Sequence, residues 1–195
     1  MCCIAPGDVA AATDIVMGID LHIGRFVTST LMLEQALSLE LAEYLRLRGF
    51  HQTVFGCSDQ SNTPPYEISP LVQRHLGDNK FNVSFMHAFV TVAVTDIQQK
   101  MGTLTGRWEC TSYQVLHELR NALSHNGRWQ RERDWMPASV ARYTLDSQKV
   151  GRRALYVEWD ESASDGMWPG DVVLLLEEIK QHLLRELNRI RVSGA

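Results

Sequence analysis

The sequence predicts an all-α protein: a bundle of about four main helices with one small β-hairpin inserted. Three observations lead there. Apolar residues recur at three- and four-residue spacing in four separate stretches. Only one region carries β-favouring runs of strand length. No repeat, long linker or change of composition divides the chain. With 195 residues, 45% hydrophobic and 22% charged, it has the balance of a soluble globular protein with a real core, so residues 1–195 read as a single domain.

Each element follows from its pattern. The first helix is expected from about Arg25 to Arg48, with Leu33, Leu37, Leu41, Tyr44 and Leu45 among its apolar positions and Gly49 as its stop. Glu34, Glu40 and Glu43 read as its solvated side. A loop rich in Ser, Asn and Pro leads to Pro70, followed by a single helical turn at Leu71–Leu76. The second helix, from about Ser84 to Met101, is apolar nearly all round. Its β-branched residues would suit a strand, but roughly eighteen residues is too long for one. It is therefore the buried central helix, and His87 within it reads as a packed histidine.

The third helix has Thr111 or Ser112 as N-cap and Tyr113, Leu116, Leu119 and Leu123 as its stripe. Asn126-Gly127 is its stop, glycine being the residue that takes the left-handed conformation past a helix end. Val140–Leu145 and Ala154–Trp159, joined across Asp146–Arg153 with Gly151, predict a hairpin at about 140–159. Trp168-Pro169-Gly170-Asp171 opens the last helix, about 169–191. Its stripe of Val172, Leu176, Ile179, Leu183, Leu187 and Ile190 suits packing within the chain or against another subunit.

The third helix also carries the chemistry. It ends on Arg120-Asn121-Ala122-Leu123-Ser124-His125-Asn126-Gly127. A permanently charged guanidinium can hold a phosphate and oppose developing negative charge, and an imidazole can move protons near neutral pH. Together they are the minimum for cleaving a phosphodiester without a metal. The same spacing in Arg46-Leu-Arg-Gly-Phe-His51 is a decoy, because it runs across the helix stop at Gly49. At about 100° per residue, His117, Arg120, Asn121 and Ser124 share a polar face opposite the leucines, with His125 roughly 140° from Arg120. The plain structural alternative is a solvated face with a histidine stabilised at a helix C-terminus.

The run Arg120-Asn121-Ala-Leu-Ser-His125 resembles the signature of the HEPN superfamily, in which an Arg, usually followed by a polar residue, precedes a His by four to six positions near a helix end. The resemblance implies a small all-helical protein of the ribonuclease-toxin or defence type. Such proteins usually form homodimers that bring two Arg/His pairs together. It implies metal-independent RNA cleavage in which Arg120 stabilises the transition-state phosphate, His125 is the general acid/base and Asn121 is the polar residue beside the Arg. Gly127 stands where toxins neutralised by a nucleotidyltransferase partner have a Tyr, which argues against that form of control.

Charge and composition refine these expectations. A net charge of −4 is unlike a general nucleic-acid binder. From Arg120 to Arg153, however, eight basic residues face three acidic ones, a distribution suited to an RNA substrate. His117, Ser124, Arg128 and Arg131 are therefore candidate substrate contacts. Cys2, Cys3, Cys57 and Cys110 show neither metal-ligand spacing nor a disulfide framework. The sequence thus predicts no metal, no cofactor, no membrane span and a cytoplasmic location, and the resemblance implies an antitoxin or regulatory protein as a further partner. The competing functional class is a catalytically silent helical module that binds RNA, a nucleotide or a protein through the same face.

Overall fold

The computed structural model describes residues 4–38, 54–55, 66–67, 79–107, 110–130, 138–140, 143–157 and 165–193. Among them lie four α-helices: α1 (Val9–Ser38), α2 (Asn79–Met101), α3 (Thr111–Ser124) and α4 (Pro169–Ser193). The strands are two short antiparallel pairs, β1 (Val54–Phe55) with β2 (Tyr66–Glu67) and β3 (Ala138–Val140) with β4 (Tyr143–Leu145). The fold is all-α with a small hairpin. The chain groups into two compact units, Met1–Gly24 with His87–Ala195, and Arg25–Met86. Their boundaries fall inside α1 and α2.

The first helix starts much earlier than Arg25. Ala12, Ile15, Ile19 and His22 are buried, an unbroken stripe at three- and four-residue spacing. Asp14 and Asp20, which interrupt the apolar pattern in the linear sequence, occupy exposed positions. Pro6 opens a 3₁₀ turn ahead of the helix, and the Asp8 carboxylate accepts from the Thr105 amide at 2.9 Å. Residues 39–48, the proposed stop at Gly49, the turn at 71–76 and the decoy pair Arg46/His51 lie outside the described residues. The β1/β2 pair, with Val54 opposite Glu67 and Phe55 opposite Tyr66, stands where only loop was expected. Its Val, Phe and Tyr are strand formers set within a stretch whose Ser, Asn and Pro favour loop.

The stretch from Ser84 to Met101 is helical, and α2 extends it back to Asn79. Burial follows one face, through Val90, Ala93, Val94, Ile97 and Met101, whereas Val92 is exposed. At its N-terminus α3 carries Cys110 as N-cap, without a side-chain capping bond. Thr111 is the first helical residue, and Ser112 sends its hydroxyl to Glu178 Oε2 on α4 at 3.2 Å instead of capping. Tyr113, Leu116 and Leu119 are buried as the stripe requires, joined by Val115 and Ala122, while Leu123 is only half-buried. The stripe of α4 runs through Val172, Leu175, Leu176, Ile179 and Leu183, then opens toward solvent at Leu187 and Ile190.

The hairpin lies within the predicted region but is narrower and paired differently. Val140 faces Tyr143 and Ala138 faces Leu145, and β3 packs on α3 and α4. Residues 154–157 do not pair with β4. They join a ribbon of three extended pieces. Trp129 N donates to Arg152 O (3.0 Å) and Ala154 N to Gly127 O (2.8 Å); on the other edge Tyr156 N donates to Met167 O (2.9 Å) and Met167 N to Ala154 O (2.8 Å). The reason is Trp129. This side chain, 1% exposed, is buried as a bulky core anchor and donates from Nε1 to Tyr143 Oη at 3.1 Å, which draws residues 127–129 against 152–154. Burial pushes the Tyr143 hydroxyl up to about 12, against the opposing bond from Trp129.

Within this unit α1 meets α2 at Gly18, where a Cβ would lie 3.3 Å from Lys100 Nζ and 3.4 Å from Ile97 Cδ1. Buried His22 bonds through Nε2 to Asp96 Oδ2 at 2.8 Å, and Lys100 Nζ reaches the same oxygen at 3.0 Å. Burial raises the Asp96 carboxyl, but bonds from His22 and Lys100 outweigh it and hold the group below its ordinary value. Asp20 on α1 pairs with Lys180 on α4 at 2.6 Å.

Two outcomes follow. Asp96→Ala leaves His22 buried without its carboxylate and should cost about 1–3 kcal/mol at neutral pH in urea unfolding. Because the folded carboxyl is depressed, that stabilisation is present above about pH 4. It is lost as pH falls through the lowered value, so wild-type and variant stabilities should converge in acid. Gly166→Ala would place its Cβ 2.5 Å from the backbone of Leu155 and Tyr156. A drop of about 1–3 kcal/mol is expected in the same measurement, since backbone cannot yield as a side-chain tip does.

Candidate active site

The site is built around how α3 ends. His125 N bonds to the carbonyls of Asn121 and Ala122, both at 3.0 Å, and Gly127 N closes the turn on Ala122 O at 2.9 Å. His125 has left helical geometry (φ −117°, ψ 66°), and Asn126 (φ 60°) and Gly127 (φ 70°) are both left-handed. Asparagine tolerates that conformation and glycine takes it without a Cβ penalty. His125 is the C-cap, so the ideal wheel angle does not by itself fix the direction of its side chain relative to Arg120.

The predicted polar face divides. Arg120 is half-buried and His125 exposed. Among the described residues, no side chain forms a hydrogen bond or ion pair with either the guanidinium or the imidazole. Ser124 is exposed but donates its hydroxyl to Arg120 O at 3.0 Å. His117 is turned toward α2, its Nδ1 accepting from Gln98 Nε2 at 3.2 Å. Asn121 is buried, at 8% exposure, so it is not on an open face with Arg120. Side chains one residue apart on a helix diverge by about 100°, which carries Asn121 toward the core that Ala122 also enters. Arg131 lies outside the described residues.

Other cations gather at the turn. Arg128 and Arg153 are bridge partners across the ribbon. Arg128 Nη1 donates to Gly151 O at 2.7 Å, and Arg153 Nη1 reaches Asn126 O, the residue after His125, at 3.4 Å. Residues 127–129 thus belong to a paired segment. Arg153 is a site-proximal residue that the sequence marked only through the basic run following the motif. His87, on α2, is half-buried and donates from Nε2 to Tyr156 O at 2.9 Å. Burial lowers its pKa, the bond to Tyr156 opposes that, and the nearby Arg153 charge lowers it further. The imidazole is neutral at pH 7, which makes His87 a structural link rather than a phosphate contact.

The arrangement offers one permanently charged guanidinium and one solvent-facing imidazole at a single helix end, with two more arginines supporting the turn. Such a set can bind a phosphate, oppose charge that grows on it and exchange a proton at neutral pH. Among the described residues, no three His, Cys, Asp or Glu side chains gather into a metal-binding group, and no helix is long and apolar enough to cross a membrane. No protein-family model, curated protein or solved structure matches this chain.

Proposed function

We propose that this chain is a metal-independent endoribonuclease of the HEPN toxin or defence type, acting as a homodimer on RNA in the cytoplasm through Arg120 and His125. One observation carries the reading. The guanidinium and the imidazole sit at one helix end, and neither is engaged by another side chain among the described residues. In the proposed reaction the ribose 2′-oxygen attacks the adjacent phosphorus, the bond from phosphorus to the 5′-oxygen breaks, and a 2′,3′-cyclic phosphate remains. Arg120 opposes the charge on the phosphorane-like state. One His125 takes the 2′-OH proton while the second subunit's copy supplies the proton to the departing 5′-oxygen. That division of labour is why a two-fold dimer suits a chain with one such pair. Arg128 and Arg153 would add positive potential along the strand.

A silent module, binding RNA, a nucleotide or a protein without cleaving, is favoured by two findings: His117 is held by Gln98, and Asn121 is buried. Both remove polar groups from the proposed site.

Activity separates the two. Purified wild type should cleave single-stranded RNA in excess chelator and leave cyclic-phosphate ends. His125→Ala should lose about 10²- to 10⁴-fold in rate, and Arg120→Ala about 10²- to 10³-fold. Both variants should keep the wild-type melting temperature, since neither residue is in the apolar stripe. Arg46→Ala and His51→Ala should behave as wild type. Cleavage unaffected by His125→Ala, or absent from the wild type, would give the case to the silent module.

A further inference from the structure

Beyond the Arg120/His125 turn, the ribbon leads to an aromatic pair with no role in the chemistry just described. Tyr156 and Trp168 stack with ring centroids 4.0 Å apart and planes 11° from parallel, and Trp168 remains 55% exposed. One face of the indole is thus covered by a phenol ring while more than half of the residue meets solvent. The free face of the indole is therefore open to a further planar group.

Its mounting is rigid. Trp168 N donates to Asp171 Oδ2 at 2.8 Å and Asp171 N to Trp168 O at 2.9 Å, a reciprocal cap that opens α4. Pro169 follows and confines the Trp168 backbone to extended conformations. The Tyr156 backbone is pinned twice, its amide donating to Met167 O and its carbonyl accepting from His87 Nε2. Gly166 lets the two backbones approach closely enough for the rings to meet. Little conformational freedom remains to be lost when a flat ligand adds to the stack.

We infer that Trp168, backed by Tyr156, is a stacking platform for an unpaired nucleobase of a single-stranded RNA whose phosphates run along the ribbon edge. The inference rests on the nuclease reading only for the identity of the ligand. Position supports it. Gly127, Ala154 and Met167 are successive rungs, so the platform stands about two strand spacings of 4.8 Å from the turn that carries His125, within reach of the same oligonucleotide. Lys149 and Arg152 pair with Asp165, three residues before Trp168, which leaves two cations against one carboxylate, and Arg128 and Arg153 face each other across the ribbon nearer the turn. The nearby carboxylates of Asp146 and Asp171 accept from the backbone amides of Gln148 and Trp168. A planar base is a partner that a single rigid ring face fits, because every base offers a π-face to stack.

The test uses a fluorescent 2′-O-methyl oligoribonucleotide, which lacks the attacking hydroxyl and cannot be cleaved, titrated by anisotropy against the full chain. Trp168→Ala should weaken binding by about fivefold to about 150-fold, while Trp168→Phe retains most of the affinity. A blunt RNA duplex of the same sequence should show no dependence on Trp168, because its bases are already stacked. Equal affinity of wild type and Trp168→Ala overturns the platform, as does failure of the wild type to bind the probe. Loss of self-association by Trp168→Ala in light scattering, with probe binding unchanged, would overturn it in favour of a second copy as occupant. Cleavage of unmodified RNA, scored separately, keeps the two readings apart. Trp168-dependent binding without cleavage leaves the platform standing and removes the nuclease; cleavage with Trp168-independent binding does the reverse.

Discussion

The unit formed by residues 1–24 and 87–195 depends on how the chain leaves α3. Two consecutive left-handed residues, Asn126 and Gly127, reverse its direction within one turn and send Trp129 into the core. Once the indole is buried, residues 127–129 must satisfy their backbone polar groups against something, since buried amides cannot be left unpaired. They do so on residues 151–154. That pairing in turn presents a second edge to Met167, and Met167 fixes where α4 begins. One terminator thus organises the irregular part of the molecule. It also leaves His125 as the exposed cap of the helix.

The helices were legible because burial writes a period into sequence. Tyr113, Leu116 and Leu119, like Val172, Leu176, Ile179 and Leu183, are buried where their spacing says they should be. The start of α1 was not legible for the same reason inverted. Asp14 and Asp20 look like interruptions when read in a line, and only the wheel separates them from Ile15 and Ile19. The hairpin was located but mispaired. Alternation says that a segment is extended and is silent about which neighbour it chooses, a decision made by the burial of Trp129 and by the close approach at Gly166.

For the candidate site, the helix end and the exposure of Arg120, Ser124 and His125 relative to the core were visible from residue types. The fates of His117 and Asn121 were not, because they depend on α2 and on the core beside Ala122. Polar residue type alone does not say whether a side chain faces water or a neighbouring element. Gln98 claims His117 from a helix whose rotation the sequence leaves open. Arg153 shows the converse. Its number in the chain is remote from the motif, and a backbone ladder brings it beside the residue that follows His125.

The pairings made by α1 carry a temporal consequence. His22 needs Asp96, and Asp20 needs Lys180 in α4, so the unit is assembled from segments far apart in the chain. A ribosome adding about 5–20 residues per second takes on the order of ten seconds to pass from the first of these segments to the last. Through that interval the stripe of Ala12, Ile15 and Ile19 has been made while the α4 surface that completes its unit has not. Such a nascent chain exposes an amphipathic helix to whatever surrounds it, and its yield is set by how well that helix is shielded before α4 emerges.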